Sequence, residues 1–537
     1  MNFVNHSGSE LWLGLYTGSD HLYGFSLFPF GRREHVAAGG SINLPAGLPE
    51  RVQAVVWNAP AFGSPLRRAR CLSSSYAISY AEDADGKHLY QGGSPPTNKD
   101  KVEHLFVLMM ENRSFDHLFG WLYEAENNTP PRNIPRRTSP TFDGLTTGAF
   151  WNNADASKHD SSNGRVLVGK VGANVFTLPN PNPPEICPRF VENLFGTESP
   201  IEGSAPNNSG FIQAYAKVPD AFPVRSEIMQ CYTPTHVPRL SALAREYAVC
   251  DRWFSSIPCM TYPNRSFLHA GTCFGRLNNN NDKYSEGTFP ADPVPNVFAF
   301  AGKRTVFDEL DSLQIPYGLY TSSQARFTLL GLQFFTIPQK VARPFKGVDE
   351  LARDLAGAGT AQLPLYTFIE PEYWVGANDQ HPPADVRVGD AFIGKVYDVI
   401  RSSPNWRKSV LVVLYDEHGG TYDHVPPPTA ARPDGSPLQF QVGGLDPMQI
   451  YGPRVPAVVV SPLIEPGTVF RSFEPPHDHS SILSSLKEMM YPFGGATPFF
   501  AGNPRVARAP TVWTALDPEA SSEGLDFSPA ILDLLLD

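Results

Sequence analysis

The sequence is poor in charged residues, and acidic residues outnumber basic ones. Asp, Glu, Lys and Arg make up 18% of the 537 residues, against about 25% in typical soluble domains. Hydrophobic residues still make up 41%, so the composition excludes a disordered chain and a long charged coiled coil. The 43 basic residues against 54 acidic ones give a net charge of −11. We therefore expect no nucleic acid partner and no electrostatic attraction to anionic membranes.

Long apolar runs are also missing. No stretch reaches the ~18 apolar residues that would cross a bilayer. No transmembrane segment is therefore predicted, although peripheral contact with neutral or zwitterionic lipid stays open. The opening residues, MNFVNHSGSELWLGLY, lack the basic and apolar regions of a signal peptide. The sequence thus predicts a protein that is either secreted without a cleavable signal peptide or cytoplasmic.

Cysteine is scarce, with six residues and no CxxC pair. Six cysteines are too few for a disulfide framework in a chain of this length. Cys250, Cys259 and Cys273 lie close in sequence, so pairing stays open. We favour small buried side chains over disulfides.

Proline is abundant instead, with 53 residues, about twice the usual frequency of roughly 5%. So much proline favours fixed irregular loops and argues against an all-helical protein. In residues 1–95, short apolar and aromatic runs alternate with Gly, Pro, Asn and Asp, which predicts a small all-β sandwich or barrel domain. The predicted strands are 11–16, 24–30, 41–45, 52–57 and 75–80.

A different pattern begins after the Gly-Gly-Ser-Pro-Pro segment at 92–96. Continuous apolar runs at 104–110, 409–415 and 455–460 are typical of strands buried on both faces. Helical periodicity appears between such runs, so residues 98–515 are predicted to form an α/β layered domain. The predicted helices are 237–247, 306–313, 392–400 and 480–490. The apolar and acidic tail, 516–537, is interpreted as a docking helix or an export signal.

Polar residues follow two of the predicted buried strands directly. Glu111 and Asn112 follow the first, and Asp416 and Glu417 follow the second. Ligands of open α/β sheets bind beyond the carboxyl ends of the strands, and these donors suit a divalent cation such as Zn, Mn or Mg. Adjacent residues on a strand point to opposite faces. Both acids can therefore bind one ion only if the strand ends there, which the Gly-Gly at 419–420 permits.

Two further segments carry hydroxyl or imidazole groups. Thr261 lies between two prolines, which predicts a rigid, exposed turn that fixes its hydroxyl. A nucleophile and an ordinary turn residue are both open for it on these residues alone. His479 precedes a predicted helix whose free N–H groups would favour an anion, but it could equally serve only as part of the cap. The GxGxxG, GxxxxGK[ST] and GxSxG motifs are absent.

Several segments together resemble a known phosphoesterase family. It contains bacterial phosphatidylcholine-type phospholipases C, plant non-specific phospholipases C and related acid phosphatases. The resemblance covers roughly residues 100–495 in the order of the family motifs, and the first ~95 residues lie outside it. The matching segments are ENRSFDHLFGWL (111–122), LSALAREYAVCDRWFSSIP (240–258), TYPNRSFLHAGT (261–272), NDQHPP (378–383), DEHGGTYDHVPPP (416–428), GPRVPAVVVSP (452–462) and DHSSIL (478–483).

The resemblance implies an α/β, alkaline-phosphatase-like layered sheet domain after the small all-β N-terminal domain. It implies a divalent metal, zinc above all, and a nucleophilic Thr261. His381 matches a histidine of the phosphate region and His479 a late histidine of the family, while Asn264 is a phosphate contact. The metal ligands that it implies are Glu111, Asn112, Asp416 and Glu417.

The sequence departs from the family at one segment. Where many members carry Asp-Pro-Gly-His, this chain has Asn-Pro-Pro-Glu at 182–185. Glu185 could act there as acid or ligand, or leaving-group handling could differ.

The function implied is a phospholipase C that hydrolyses glycerophospholipids such as phosphatidylcholine through a phospho-threonine. The alternatives are an acid phosphatase on soluble monoesters and a lipid- or surface-binding protein with a degenerate phosphoesterase domain.

Overall fold

The computed structural model describes eight strands within residues 2–91 and most of the chain from residue 97 onward. The predicted strand at 24–30 and residues 517–537 of the predicted tail lie outside the described residues. From residue 97, the described ranges are 97–135, 141–154, 164–279, 300, 302–322, 328–334, 345–357, 363–373, 376–491 and 499–516.

The backbone of the N-terminal region pairs into two sheets. Among the described strands, β1, β4, β7 and β8 form one four-stranded sheet, and β2, β3, β5 and β6 form another. Strands were predicted at four of these places, and the structure adds the strands at 2–5, 34–36, 67–72 and 86–91. Their bounds are β1 Asn2–Asn5, β2 Leu11–Tyr16, β3 Glu34–Val36, β4 Ser41–Asn43, β5 Arg51–Trp57, β6 Arg67–Leu72, β7 Ala77–Asp83 and β8 Gly86–Gln91.

A larger sheet dominates the chain after residue 97. Among the described residues it has nine strands, in the order β10-β21-β15-β20-β19-β9-β18-β16-β17, and two short two-stranded pairs accompany it. The strands after residue 97 are β9 His104–Met110, β10 Arg132–Ile134, β11 Trp151–Asn153, β12 Arg165–Leu167, β13 Gly169–Lys170, β14 Gln230–Cys231, β15 Ala248–Cys250, β16 Tyr317–Thr321, β17 Lys346–Gly347, β18 Tyr366–Glu370, β19 Ser409–Tyr415, β20 Ala457–Val460 and β21 Thr468–Phe470.

The central strands run parallel to one another. β9 pairs in parallel with both β18 and β19, whereas β20 is antiparallel to its neighbours β19 and β15. Every residue of β9 and β19 is buried, because helices and loops cover both faces of a parallel sheet. This explains their uninterrupted apolar sequences. The α/β layered architecture predicted from those runs is confirmed.

The helices surround this sheet. The predicted helix at 480–490 has the predicted bounds, and the one at 392–400 begins earlier, at Val386, because the Asp385 carboxylate caps its first turn. The described helices are α1 Phe115–Phe119, α2 Cys187–Phe195, α3 Phe211–Tyr215, α4 Pro238–Glu246, α5 Thr261–Ala270, α6 Val306–Ser312, α7 Leu329–Phe334, α8 Val348–Ala356, α9 Val386–Arg401, α10 Ser480–Met490 and α11 Pro504–Arg508.

The prediction of an exposed turn at Thr261 was wrong. Thr261 is buried and is the first residue of α5. Pro263 lies within the first turn of that helix, where the missing N–H of proline costs no hydrogen bond. The proline therefore favours the start of a helix here rather than a free-standing turn.

Two loops leave the sheet side by side after β9 and β19. Asn112 has a positive φ of 56°, and Gly419 has a φ of 58°. A Cβ atom on Gly419 would lie 2.2 Å from the Asn112 carbonyl oxygen, so only glycine fits this approach. β19 ends at Tyr415, as the adjacent acids Asp416 and Glu417 require if both are to face one point.

Candidate active site

Glu111, Asn112, Asp416 and Glu417 meet at the carboxyl edge of the sheet, and we call these four residues the open cluster. The Asn112 N–H donates to Asp416 Oδ1 over 3.1 Å, and the Glu417 N–H donates to the same oxygen over 2.8 Å. The Glu111 N–H donates to the Asp379 carbonyl, which brings the segment after β18 to the same edge. All four side chains are buried. The convergence predicted from the two strand ends is present.

Arg265 is the positive charge of this site, and the sequence analysis did not single it out. Its Nε and Nη2 groups donate to Glu111 Oε1, and its Nε lies 3.4 Å from Asp416 Oδ2. Glu370, the last residue of β18, also pairs with it at 3.4 Å. The signal for Arg265 was its place four residues after Thr261, which puts both on one face of a helix.

Several oxygen atoms of the open cluster are left without hydrogen bonds. Among the described residues, Asn112 Oδ1, Asp416 Oδ2 and Glu417 Oε1 are buried and accept no hydrogen bond. Buried polar atoms are otherwise almost always paired, and the three carboxylates exceed the single Arg265 charge. Oxygen donors with excess negative charge fit a divalent cation. The open cluster therefore passes the chemical test for a metal site.

Burial and mutual repulsion act on the carboxyl groups of this cluster. Burial, followed by the nearby Asp416, raises the pKa of Glu111 well above its ordinary value, although Arg265 opposes the shift. Burial also raises the pKa of Glu417 well above its ordinary value, and the acids around it add to the effect. Like charges that crowd a dry site disfavour their own ionisation. A bound cation would remove that penalty.

Thr261 reaches the same site through its helix. Arg265, one turn further along α5, contacts Glu111 and Asp416 directly, so the face of α5 that carries Thr261 is turned toward the open cluster. Thr261 is 7% exposed. As the first residue of a ten-residue helix, it lies at the positive end of the helix dipole, where the Tyr262 N–H already donates to Asn279 Oδ1 and the Asn264 N–H to the Met260 carbonyl. This position favours an anion such as a phosphate.

Asn264 has its side chain committed to the backbone before Thr261. Its Oδ1 accepts from the Ile257 N–H, and its Nδ2 donates to the carbonyls of Ile257, Cys259 and Met260. In this geometry Asn264 holds the turn that delivers Thr261 to the site. Its contact with a substrate phosphate stays a prediction.

Glu185 and His381 form an ion pair at the rim of the open cluster. His381 Nε2 lies 3.1 Å from Glu185 Oε2, and His381 Nδ1 lies 2.7 Å from the Pro382 carbonyl oxygen. Both ring nitrogens thus face acceptors, as expected for an imidazolium. Burial opposes the charged form, but Glu185 outweighs it and raises the pKa of His381 to about 10.

The pairing with His381 also determines the ionisation of Glu185. Burial opposes its ionisation, but His381, with contacts from Asn112 and Asn182, lowers the pKa of Glu185. The His381 side chain is 30% exposed, so it can meet a substrate. The pair occupies the corner where the resemblance led us to expect a histidine in place of Glu185.

His479 is buried directly behind Asp416. Its Nε2 donates to the Asp416 carbonyl over 2.5 Å, and its Nδ1 accepts from the Trp253 indole. Burial lowers the pKa of His479 to about 4, so the ring is neutral. In this geometry His479 positions the Asp416 backbone, and a direct part in proton transfer stays a prediction.

A second polar group follows the open cluster along the chain, with Asp116 in α1, Asp423 and His424 after β19, and Arg454 before β20. We call Asp116, Asp423, His424 and Arg454 the closed cluster. Ligand atoms of its two aspartates and its histidine lie within 4.8 Å of one another, a possible metal-binding triad. Arg454, however, donates to Asp116 Oδ1 and Asp423 Oδ1, both over 2.9 Å. Since the guanidinium already pairs with both of these acids, we favour the open cluster as the candidate metal site.

Comparisons with known proteins place the chain in a family. Residues 102–491 match the Phosphoesterase family. Non-specific phospholipase C3 of Arabidopsis thaliana is 32% identical over 421 residues, which cover 74% of this chain and 71% of the plant protein. Phospholipase C B of Mycobacterium tuberculosis is 27% identical over 74% of this chain and 75% of its own length. The chain belongs to the Phosphoesterase family, and it is a phosphoric ester hydrolase.

Solved structures add little to this assignment. A protein of the alkaline phosphatase superfamily from Vibrio parahaemolyticus is 12% identical, covers 48% of this chain and 62% of its own, and has a TM-score of 0.26. A similarity this low carries no argument about the fold. The α/β assignment depends on the nine-stranded sheet of the described residues itself.

Proposed function

We propose that the protein is a phospholipase C that cleaves glycerophospholipids such as phosphatidylcholine with Thr261 as its nucleophile. The observation that carries this proposal is the open cluster, which keeps buried oxygens that accept no hydrogen bond and is contacted by Arg265 of α5, the helix that begins at Thr261. Names of the relatives support the substrate class, since both plant and mycobacterial proteins are phospholipases C. We also propose that the α/β domain is alkaline-phosphatase-like.

The first step is an attack on phosphorus by the Thr261 hydroxyl oxygen, which releases its proton to solvent as the new O–P bond forms. The P–O bond to diacylglycerol breaks, and the threonine carries the phosphorylated headgroup until water hydrolyses it. The positive end of the α5 dipole and the guanidinium of Arg265 stabilise charge on the phosphoryl oxygens. Asn264 contributes by fixing the turn before Thr261, because a nucleophile must be held in line with the breaking bond.

The leaving alkoxide needs a proton. His381 is the best placed of the candidate acids, because it is charged, is partly exposed and is oriented by Glu185. When water then hydrolyses the phospho-threonine, the neutral imidazole takes a proton from that water, which restores the charged form that Glu185 stabilises. His479 faces protein groups on both nitrogens, so its contribution is to hold Asp416.

Glu111, Asn112, Asp416 and Glu417 would hold the divalent cation. When bound, such a cation lowers the pKa of a hydroxyl nucleophile and neutralises phosphate charge. The resemblance points to zinc, and oxygen-only donors also suit Mn²⁺ and Ca²⁺. Metal analysis of the purified protein, followed by chelation and re-addition of each ion, tests zinc first.

The assay that tests the function uses three substrates with and without chelator: phosphatidylcholine vesicles, a soluble phosphorylcholine ester and a soluble phosphate monoester. We expect diacylglycerol and phosphocholine from the vesicles, and no products after chelation. Choline as the product would place cleavage on the other side of phosphorus. Turnover of the monoester alone would instead make the protein an acid phosphatase.

The nucleophile is tested by Thr261→Ala, with Thr261→Ser as the matched control. The alanine variant should lose at least about 10³-fold in kcat, whereas the serine variant keeps a hydroxyl and should retain activity. Both should melt like the wild type. A folded alanine variant with more than about a tenth of the wild-type kcat would contradict the assignment.

We further propose that residues 1–95 form a β-domain that recruits the enzyme to aggregated lipid, through peripheral contact with the membrane surface. Among the described residues, no helix is long and apolar enough to cross a bilayer. A truncation that starts near Thr97 should lose far more activity on vesicles than on a soluble ester. Equal loss on both substrates would contradict recruitment. Export without a cleavable signal peptide, or retention in the cytoplasm, is a further proposal that fractionation of the native host would test.

A further inference from the structure

Two buried cysteines touch each other beside the proposed catalytic residues. The Sγ atoms of Cys187 and Cys259 are 2.8 Å apart, although the residues are 72 positions apart in sequence. A disulfide bond is about 2.05 Å long, so bond formation would need less than about 1 Å of movement. Neither cysteine is exposed to solvent. We propose that Cys187 and Cys259 form a disulfide that joins the Glu185 segment to the Thr261 segment.

The two cysteines belong to the two segments that carry Glu185 and Thr261, whose relative position matters for the proposed reaction. Cys187 is the first residue of α2 and lies two residues after Glu185, while Cys259 lies two residues before Thr261. The Cys259 carbonyl also accepts from Asn264, and the Cys187 N–H donates to Asn278 Oδ1. Each end of the bridge is therefore anchored to backbone that is itself fixed. A bridge here stabilises the relative placement of the acid pair and the nucleophile.

The surroundings of the pair would protect such a bond. Both cysteines lie in an apolar cluster that includes Ile257, Phe267 and Met448. Burial, together with the neighbouring thiol, raises the pKa of the Cys259 thiol well above its ordinary value. A thiol in this state is a poor nucleophile. The bond must therefore form while the chain folds, and afterwards it resists soluble reductants.

The chemistry of bond formation is thiol–disulfide exchange. One thiolate attacks an organic disulfide such as oxidised glutathione, and the second cysteine then displaces the remaining glutathione. The two cysteines lose two protons and two electrons, and the oxidant becomes two thiols. An oxidising folding compartment supplies this class of oxidant.

The experiment uses the full chain, unfolded in reductant and refolded either with oxidised and reduced glutathione or with dithiothreitol. Free thiols are alkylated under denaturing conditions, and peptides are mapped by mass spectrometry. We expect one linked peptide that joins Cys187 to Cys259 in the oxidised sample only, with Cys250 alkylated in both. Alkylation of both partners in the oxidised sample, or a bond from Cys259 to Cys273, would overturn the proposal.

Thermal melting provides a second readout. The oxidised protein should melt about 3 °C or more above the reduced protein, because the bridge closes a long loop. Cys187→Ala with Cys259→Ala should abolish this difference, and the matched variant Cys250→Ala should keep it. Identical melting of oxidised and reduced wild type would count against the bridge.

Discussion

The open and closed clusters both include acids from the segments after β9 and β19, but they differ in how their buried carboxylates are paired. In the closed cluster, Arg454 donates to one oxygen each of Asp116 and Asp423 over 2.9 Å. The Asp116 N–H also donates to Asp423 Oδ2, so the two loops are locked together. In the open cluster, Asp416 Oδ2 and Glu417 Oε1 accept no hydrogen bond among the described residues.

This difference supports the proposal that the open cluster is the functional site and the closed cluster a structural one. A buried ion pair whose oxygens accept hydrogen bonds fixes the relation of two loops, whereas buried oxygens that accept no hydrogen bond cost free energy until a ligand reaches them. Distances between ligand-type atoms alone would have favoured the closed cluster. Counting which oxygens remain unpaired favours the open cluster instead.

The largest expected effect comes from neutralising Asp416 in the open cluster. Asp416→Asn should lose metal and at least about 10³-fold in kcat, because several kcal/mol of charge stabilisation disappear. Its thermal stability without metal should stay near that of the wild type, since a crowded negative charge is removed. Metal content and kcat are measured on the folded protein.

The matched change in the closed cluster is Asp423→Asn. It should lower thermal stability and leave both metal content and the kcat of the folded protein near wild-type values. Loss of metal from Asp423→Asn, with full metal in Asp416→Asn, would reverse the assignment of the two clusters.

The sequence predicted much of this arrangement. β9 and β19 were found because strands buried on both faces have continuous apolar sequences, and Asp416 and Glu417 follow directly at a strand end. Arg265 and the buried helix start at Thr261 were missed. Their roles depend on how α5 packs across the strand ends, and local sequence does not contain that contact.

The second prediction concerns Arg454, the counter-ion of the two acids in the closed cluster. Arg454→Met should lower the free energy of unfolding by about 3–5 kcal/mol, because two buried carboxylates lose their counter-ion. Arg387→Met is the matched control, since Arg387 pairs with Asp385 at the surface with its own side chain 59% exposed. Denaturant unfolding measures both, and the control should change by less than about 1 kcal/mol. Equal losses of unfolding free energy in the two variants would show that the buried ion pairs of Arg454 stabilise the protein no more than the exposed pair of Arg387.

The third prediction concerns how the stability of the metal-free protein depends on pH through the open cluster. Burial raises the pKa of Glu417 well above its ordinary value of 4.5, so the folded chelated protein holds a proton that the unfolded chain releases. The contribution of Glu417 to the stability of the chelated protein should therefore fall as pH rises above about 4.5, by up to ~1.4 kcal/mol per pH unit. Glu417→Gln should flatten this slope, and saturating metal should do the same. Equal slopes in the chelated wild type and in chelated Glu417→Gln between pH 5 and about 7 would contradict the raised pKa, because buried histidines such as His117 and His269 affect both proteins alike.

The smallest effect is expected at the edge of the closed cluster, at His424. The His424 Nδ1 lies 2.6 Å from Asp116 Oδ2, but the His424 backbone N–H donates to the same oxygen over 2.7 Å. His424→Phe keeps a ring that can pack against Phe150 and the backbone hydrogen bond, and removes the Nδ1 atom that contacts Asp116 and Arg454. Loss of one such hydrogen bond should cost about 1 kcal/mol, measured by denaturant unfolding.

The kcat of His424→Phe decides what the closed cluster does. If the cluster only locks the two loops, kcat should stay within about twofold of the wild type, because 1 kcal/mol of global stability leaves nearly all of the protein folded. Asp116 would still be held by Arg454. A tenfold loss of kcat in a variant that remains folded would mean that His424 contributes to the chemistry. The closed cluster would then be part of the active site rather than its support.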